Sequence, residues 1–288
     1  MKWTTDWGLR ARMGLTMFLL FALYLVFIGV LTVYFGNLLF AALMLGAFSI
    51  AQFFFSDKLA LYSMGAKKVS EEEHPRLHAQ ISRLSQQADL PKPTVAVADN
   101  RTPNAFATGR SKSSSAVCVT TGLLQTLDDD ELEGVLAHEL AHVKNRDVAV
   151  MTIASFLSTI AFLIVRWGWL FGGRGRNQTP MIVAIVVSLL VWILSFLLIR
   201  ALSRYREYSA DRGAAAITGK PSALASALLK ISGRVDQMPS EDLREQAEMN
   251  AFFIIPISRG FIGKLASTHP PTESRIQRLR ELERQMET

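Results

Sequence analysis

Asp128–Asp147 reads DDDELEGVLAHELAHVKNRD. Asp128 and Glu131 stand at capping-box spacing, which starts a helix at this point. Leu132, Val135, Leu136, Leu140 and Val143 then recur on one helical face, giving it an apolar back. Within the helix, His138-Glu139-Leu140-Ala141-His142 has the form H-E-x-x-H. Residues four apart lie on the same side of a helix, one turn from each other. Two imidazoles placed in this way can both reach one zinc ion at about 2.0–2.1 Å. Glu139 follows the first of them on the same side, where a carboxylate can act as general base towards a water acidified by the metal. His74 and His78 are also four apart. No glutamate lies between them, Pro75 occupies the first turn, and a surface helix face accounts for both.

A catalytic zinc normally takes three protein ligands and keeps one position open. The chain has a single cysteine, Cys118, and five histidines. No thiolate framework is available, so the ligands must be histidines and carboxylates, and the lone thiol fits a reducing compartment. Two apolar runs follow the motif, residues 148–171 and 181–199, and after them comes Arg204-Tyr205-Arg206-Glu207-Tyr208-Ser209-Ala210-Asp211. Glu207 is the best candidate for the third ligand. It lies just past the fourth apolar run, His142 lies just before the third, and two crossings return the chain to the same side. Asp211, one turn later, could accept the second N–H of a metal-bound imidazole. On spacing alone, a solvated charged face beside Arg204, Arg206 and Arg212 explains Glu207 and Asp211 equally well.

Half of the 288 residues are hydrophobic and the mean hydropathy is +0.23. Residues 14–35 carry no charge and are long enough to cross a hydrocarbon core of about 30 Å. Residues 38–56 form a second uncharged run after Gly36-Asn37, so the two read as a membrane hairpin. The first run is too long for a cleaved signal peptide, and no cleavage site leads from it into a soluble segment. With 148–171 and 181–199, the expectation is four transmembrane helices. The net charge of +6 is explained by Arg10, Arg12, Lys58, Lys67, Lys68, Arg200, Arg204 and Arg206, which flank the apolar runs as the positive-inside rule favours. No basic stripe is interleaved with aromatics, so nucleic acid is not an expected partner. The N-terminal 1–13, the polar 57–147 and the C-terminal 200–288 hold most of the cations and are expected in the cytoplasm. Arg166, Arg174 and Arg176 argue the other way. Within the polar parts, helices are expected over Ser70–Asp89, Ala201–Thr218, Pro221–Ser232 and from Thr272. Strands are expected over Thr94–Ala98, Asn104–Thr108 and Ser115–Thr120, with Gly109–Ser114 as a loop. Residues 251–268 are of mixed character, and 234–250, rich in charged and amide residues, reads as a surface linker in preference to a mobile gate.

Four motifs in this order carry a family resemblance: Asn104-Ala-Phe-Ala-Thr-Gly109, H-E-L-A-H, E-Y-S-A-D, and Ser267-Thr-His-Pro-Pro271 followed by Arg275. With the four apolar runs, they resemble the HtpX family of bacterial membrane zinc proteases, related to the CAAX prenyl proteases. The resemblance covers essentially the whole chain. It implies a mainly α membrane protein, with an α+β gluzincin-like protease domain that contains a small sheet. It implies one Zn2+ per chain, with Glu207 as third ligand and Asp211 behind the ligands. His269 and Arg275 would help stabilise the oxyanion. The stretch from Asn104 through Ala105 and Phe106 to Gly109 would form an edge strand where substrate pairs by strand addition. Read without the family, His269 is a capping or packing residue before Pro270, and Arg275 is a solvated helix charge. The implied activity is proteolytic quality control, on the cytoplasmic face of a bacterial plasma membrane, with misfolded or damaged membrane proteins as substrates.

Two other readings compete on the residues. A protease with its zinc inside the bilayer would need H-E-x-x-H within an apolar span. Here Asp128–Glu133 precede the motif and Lys144-Asn145-Arg146-Asp147 follow it, so that reading is rejected. A non-catalytic receptor with structural zinc would need four protein ligands, and only three are convincing. A helix continuing unbroken past His142 would set the metal within about 10 Å of the membrane surface, at 1.5 Å per residue.

Overall fold

The computed structural model describes residues 7–35, 54, 58, 60–171, 179–237 and 269–287. The second apolar run apart from Phe54, the loop 172–178, most of 234–250, and 251–268 lie outside the described residues. The chain divides into two compact units. One comprises Met1–Thr5, Phe55–Val148 and Arg206–Thr288, the other Asp6–Phe54 and Ala149–Tyr205.

The first unit is built on a four-stranded sheet of β1 (Ala66–Lys68), β2 (Thr94–Ala98), β3 (Ala105–Ser111) and β4 (Ser114–Thr120), in the order β1-β2-β4-β3. The β2–β4 pair is parallel and the other two are antiparallel. β-branched residues in TVAVA and SSAVCVT favour strands. From Ser115 onward β4 is buried, as suits a strand between two neighbours. β3 lies at an edge. It runs to Ser111, further than expected, and turns tightly through Lys112-Ser113 into β4. The turn needs Gly109, whose φ of +133° leaves no room for a side chain against the Ser114 backbone. The short strand β1 has no apolar alternation. Its Lys67 and Lys68 are exposed and read in the sequence as cations flanking an apolar run.

Helix α2 (Pro75–Gln87) begins later than expected because proline is suited to a first-turn position. Ahead of it, the Ser70 N–H donates to Glu73 at 2.7 Å in a separate turn. After the short α3 (Thr121–Thr126), α4 (Asp129–Asn145) starts at the expected place. Its capping box is complete, with Asp128 N–H donating to Glu131 and Glu131 N–H to Asp128, each at 3.0 Å. The five apolar residues expected on its inner face are all buried. α4 does not run on past His142 into the next apolar segment. It ends at Asn145, and Arg146 adopts a left-handed conformation (φ 57°, ψ 39°) before α5 (Asp147–Phe171) begins. The distance expected from an unbroken helix therefore does not apply.

α6 (Thr179–Thr218) is a single 40-residue helix that includes both the fourth apolar run and the expected Ala201–Thr218. α7 (Pro221–Asp236) lies close against α4, where a Cβ on Gly134 would come 2.9 Å from the Leu224 nitrogen. α8 (Thr272–Glu287) starts at the expected residue. The core of this unit joins sheet and helices through Ile81, Val117, Leu123, Leu136, Leu228 and Leu279.

The second unit contains α1 (Trp7–Phe35), α5 from Ala149, and α6 as far as Tyr205. Leu20, Tyr24, Phe27, Ile160, Ala161 and Val191 belong to its core, and the Tyr24 hydroxyl donates to the Ala154 carbonyl at 2.6 Å. Outside that core, Phe18, Phe21, Val26, Ile182, Leu190 and Leu197 are exposed. Apolar surface of this extent suits hydrocarbon better than water. Among the described residues, Trp7–Gly29 and Ile182–Thr218 are long and apolar enough to cross a membrane.

Candidate metal centre

Helix spacing brings the two histidines of H-E-x-x-H together, with Nε2 atoms 3.1 Å apart and rings edge to face. Glu207 comes from α6, in the C-terminal part of that helix, from Arg206, that belongs to the first unit. Its Oε2 lies 3.5 Å from His138 Nε2 and its Oε1 3.5 Å from His142 Nε2. The three residues each offer one ligand atom, all within 4.8 Å of one another. Behind them, Asp211 Oδ1 lies 3.0 Å from His138 Nδ1, and Asp147 Oδ2 lies 2.6 Å from His142 Nδ1. A ring nitrogen facing a carboxylate keeps its proton, so when an imidazole is neutral its Nε2 lone pair points inward. Two ring nitrogens and a carboxylate converge, and this donor set fits a cation, either a metal ion or, without one, a proton on His138.

The electrostatics agree with that fit. Burial opposes charge on His138, but Asp211 and Glu207 outweigh it and push its pKa up to about 9. Burial also opposes charge on Glu207. His269 and His138 overcome it and hold the carboxyl well below its usual range, and Asp211 is lowered in the same sense by Arg275. The pocket therefore favours positive charge among ionised carboxylates.

Glu139 is buried, and its Oε2 accepts the Ala107 N–H of β3 at 2.7 Å. Burial raises its pKa, against the lowering influence of His142 and His138. His269 Nδ1 is 3.0 Å from Glu207 Oε2. Arg275 does not lie on a solvated helix face. It is 1 % exposed, grips Asp211 with Nε at 2.9 Å and Nη2 at 2.6 Å, and places Nη1 3.3 Å from Glu207. Asn104, Ala105 and Phe106 are all buried, with the Asn104 N–H donating to Thr120 Oγ1 at 2.9 Å. The β3 residue that meets the site is Ala107. Sequence reasoning also passed over Asp147 and Arg206, whose Nε lies 3.1 Å from Asp147 Oδ1. His74 and His78 belong to no cluster of metal-binding groups among the described residues, and His78 Nε2 lies 3.0 Å from the Val69 carbonyl oxygen.

Residues 71–283 match the family model described as Peptidase family M48. The chain belongs to peptidase family M48. This M48 chain is 55% identical to protease HtpX homolog 2 of Methanosarcina mazei over 290 residues, with 99% of each chain covered. It is 53% identical to the protease HtpX homolog of Moorella thermoacetica, over 98% of this chain and 97% of the relative. Membership and these relatives make it an HtpX-type metalloprotease. Among solved structures, Ste24p of S. mikatae superposes with a TM-score of 0.56 at 19% identity, over 90% of this chain and 62% of that longer one. At that identity the likeness is one of fold. The M48 match contains the two histidines, Glu139, Glu207, Asp211, His269 and Arg275.

Proposed function

We propose that the chain is a zinc endopeptidase built into the cell membrane by four helices, and that it cleaves misfolded or damaged membrane proteins on the cytoplasmic side. The observation that carries this reading is the convergence of His138, His142 and Glu207 within 4.8 Å, with Glu139 beside them and bonded to an edge strand. The exposed apolar faces of α1 and α6 support residence in lipid, and the cations flanking the apolar runs support the orientation. The proposed domains follow the sequence: an N-terminal segment 1–13, hairpins 14–56 and 148–199, and a protease domain formed from 57–147 and 200–288.

In this mechanism His138, His142 and Glu207 hold zinc, which when bound supplies Lewis acidity towards a carbonyl and a water. Asp211 fixes the His138 ring through Nδ1. Glu139 takes a proton on its carboxylate and returns it to the leaving amine. Burial raises its pKa and so moves it towards the neutral range, where such exchange is efficient. His269 is the donor for the oxyanion. Arg275, enclosed by Asp211 and Glu207, acts by holding those carboxylates in place rather than by reaching substrate. An extended substrate adds to β3 at its open edge, beside Ala107, whose own N–H holds the base Glu139. Asn104, Ala105 and Phe106 shape the strand from within.

The test is degradation of an unfolded model protein by the detergent-purified chain with added zinc, beside Glu139→Gln at equal zinc occupancy. The native chain should cleave, and the variant should hold zinc but lose nearly all turnover. Equal cleavage by both would remove the role of Glu139. If neither cleaved while both held zinc, the peptidase reading itself would fail for the isolated chain.

A further inference from the structure

We propose that Asp147, held by Arg206, is the positioning residue for the metal-binding nitrogen of His142. The inference rests on reading His138, His142 and Glu207 as the metal ligands, and it concerns two residues to which that reading gives no role.

The two histidines are backed in the same way. Behind His138 stands Asp211, which is held by Arg275. Behind His142 stands Asp147, with Oδ2 2.6 Å from Nδ1, and its other oxygen lies 3.1 Å from Arg206 Nε. Each imidazole thus has its own carboxylate and each carboxylate its own guanidinium. Asp147 is 1 % exposed, and a carboxylate buried to this degree must be matched by partners that satisfy its charge. Oδ2 is hydrogen-bonded to the ring, and Oδ1 is paired with the guanidinium by charge rather than by a hydrogen bond. A histidine ligand whose second nitrogen donates to a carboxylate is fixed in tautomer and in ring orientation, and it becomes a stronger ligand.

The backbone is shaped to make this contact. On an unbroken helix, residue 147 would lie five positions after His142, about 140° around the axis at 3.6 residues per turn, and would face away from the ring. The left-handed turn at Arg146 interrupts the helix at that point. The chain restarts as α5 with Asp147 folded back beneath His142. The Arg146 side chain is exposed, so the turn does not serve a contact of its own. Arg206 also immediately precedes Glu207. The Arg206–Asp147 ion pair therefore ties the helix that carries the third ligand to the end of the helix that carries the second. A residue that merely began α5 would need neither the His142 contact nor the arginine.

The test uses the full chain in detergent and measures zinc affinity by competition with a chromophoric chelator, together with the visible absorption of the Co2+-substituted protein. Asp147→Asn keeps the shape and removes the charge. It should weaken zinc binding by about 10–100-fold and shift the Co2+ bands, because the His142 ring is no longer fixed. Arg206→Gln should weaken binding by a smaller factor, and Arg206→Lys should recover most of that loss. A purely structural role would lower thermal stability while leaving affinity and spectrum of the folded protein native-like, and that result overturns the proposal. Should Asp147→Asn fail to fold, the Arg206 pair carries the test. Rescue by lysine supports the proposal, and native-like binding by Arg206→Gln refutes it. If the native chain bound no zinc at all, the ligand assignment would fall first. Native binding matched by Asp147→Asn would remove only the inference.

Discussion

Arg275 is among the largest side chains that the fold encloses completely, and it spans two carboxylates from a helix of its own. Its charge is held by Asp211 and Glu207. Burial alone would favour the neutral form, yet the two anions raise its pKa further above the usual arginine range. Arg275→Gln should therefore leave two buried carboxylates without their cation. Removing one partner of a buried ion pair costs about 3–5 kcal/mol, so denaturant unfolding of the purified chain should show a loss of that size. A change below about 1 kcal/mol, the level of surface ion pairs, would show that the guanidinium is not bearing on these carboxylates. At this scale the sequence is informative where chemistry is local and uninformative where it is not. H-E-x-x-H can be read from spacing, because four residues make one turn. Arg275 meets Asp211 across 64 residues of sequence, and no local pattern says that an arginine in a charged C-terminal helix is buried. Asp147 was passed over for a related reason. In the sequence it sits in a polar run beside an apolar segment, and its contact with His142 exists only because the backbone reverses at Arg146.

Between elements, the junction of α4 and α5 is where the backbone departs most from what periodicity suggests. The helical signal runs through it almost without interruption, and no glycine or proline marks a break. Arg146 nevertheless takes the left-handed region, which costs a residue with a Cβ roughly 1–2 kcal/mol relative to a right-handed helical conformation. Arg146→Gly should then be neutral or stabilising by up to about 1 kcal/mol in denaturant unfolding. Arg146→Val, whose branched side chain fits that region poorly, should destabilise the chain and weaken zinc binding as well, since Asp147 would lose its aim. Equal stability for the glycine and valine variants would mean that the turn is not needed. The other end of α4 was legible in full, because a capping box is written in adjacent residues. Strands β2 and β4 were legible from their β-branched content. Strand β1 was not, because three residues ending in two lysines carry no alternation, and only pairing with β2 makes them a strand.

For the whole molecule, the proposed cytoplasmic placement of the protease unit can be tested with the chain's own chemistry. Cys118 is fully enclosed in the central strand, and burial pushes its thiol up to about 12. Since the thiolate is the reactive form, the native chain should take up no maleimide while folded, and a cysteine introduced elsewhere reports alone. Length and hydropathy made the apolar runs readable in the sequence, since a span needs only about 20 apolar residues. The proposed orientation follows the balance of cations on either side, with Arg166, Arg174 and Arg176 on the minority side. Thr179→Cys, at the start of α6, and Glu72→Cys, exposed ahead of α2, sample the two sides that the proposed four-span arrangement separates. In intact cells a membrane-impermeant maleimide should label Thr179→Cys, while Glu72→Cys should react only after lysis. The reverse pattern would place the protease unit outside the cytoplasm. Labelling of both only after lysis would remove the 148–199 hairpin from the membrane and undo the topological argument by which Glu207 returns to His142.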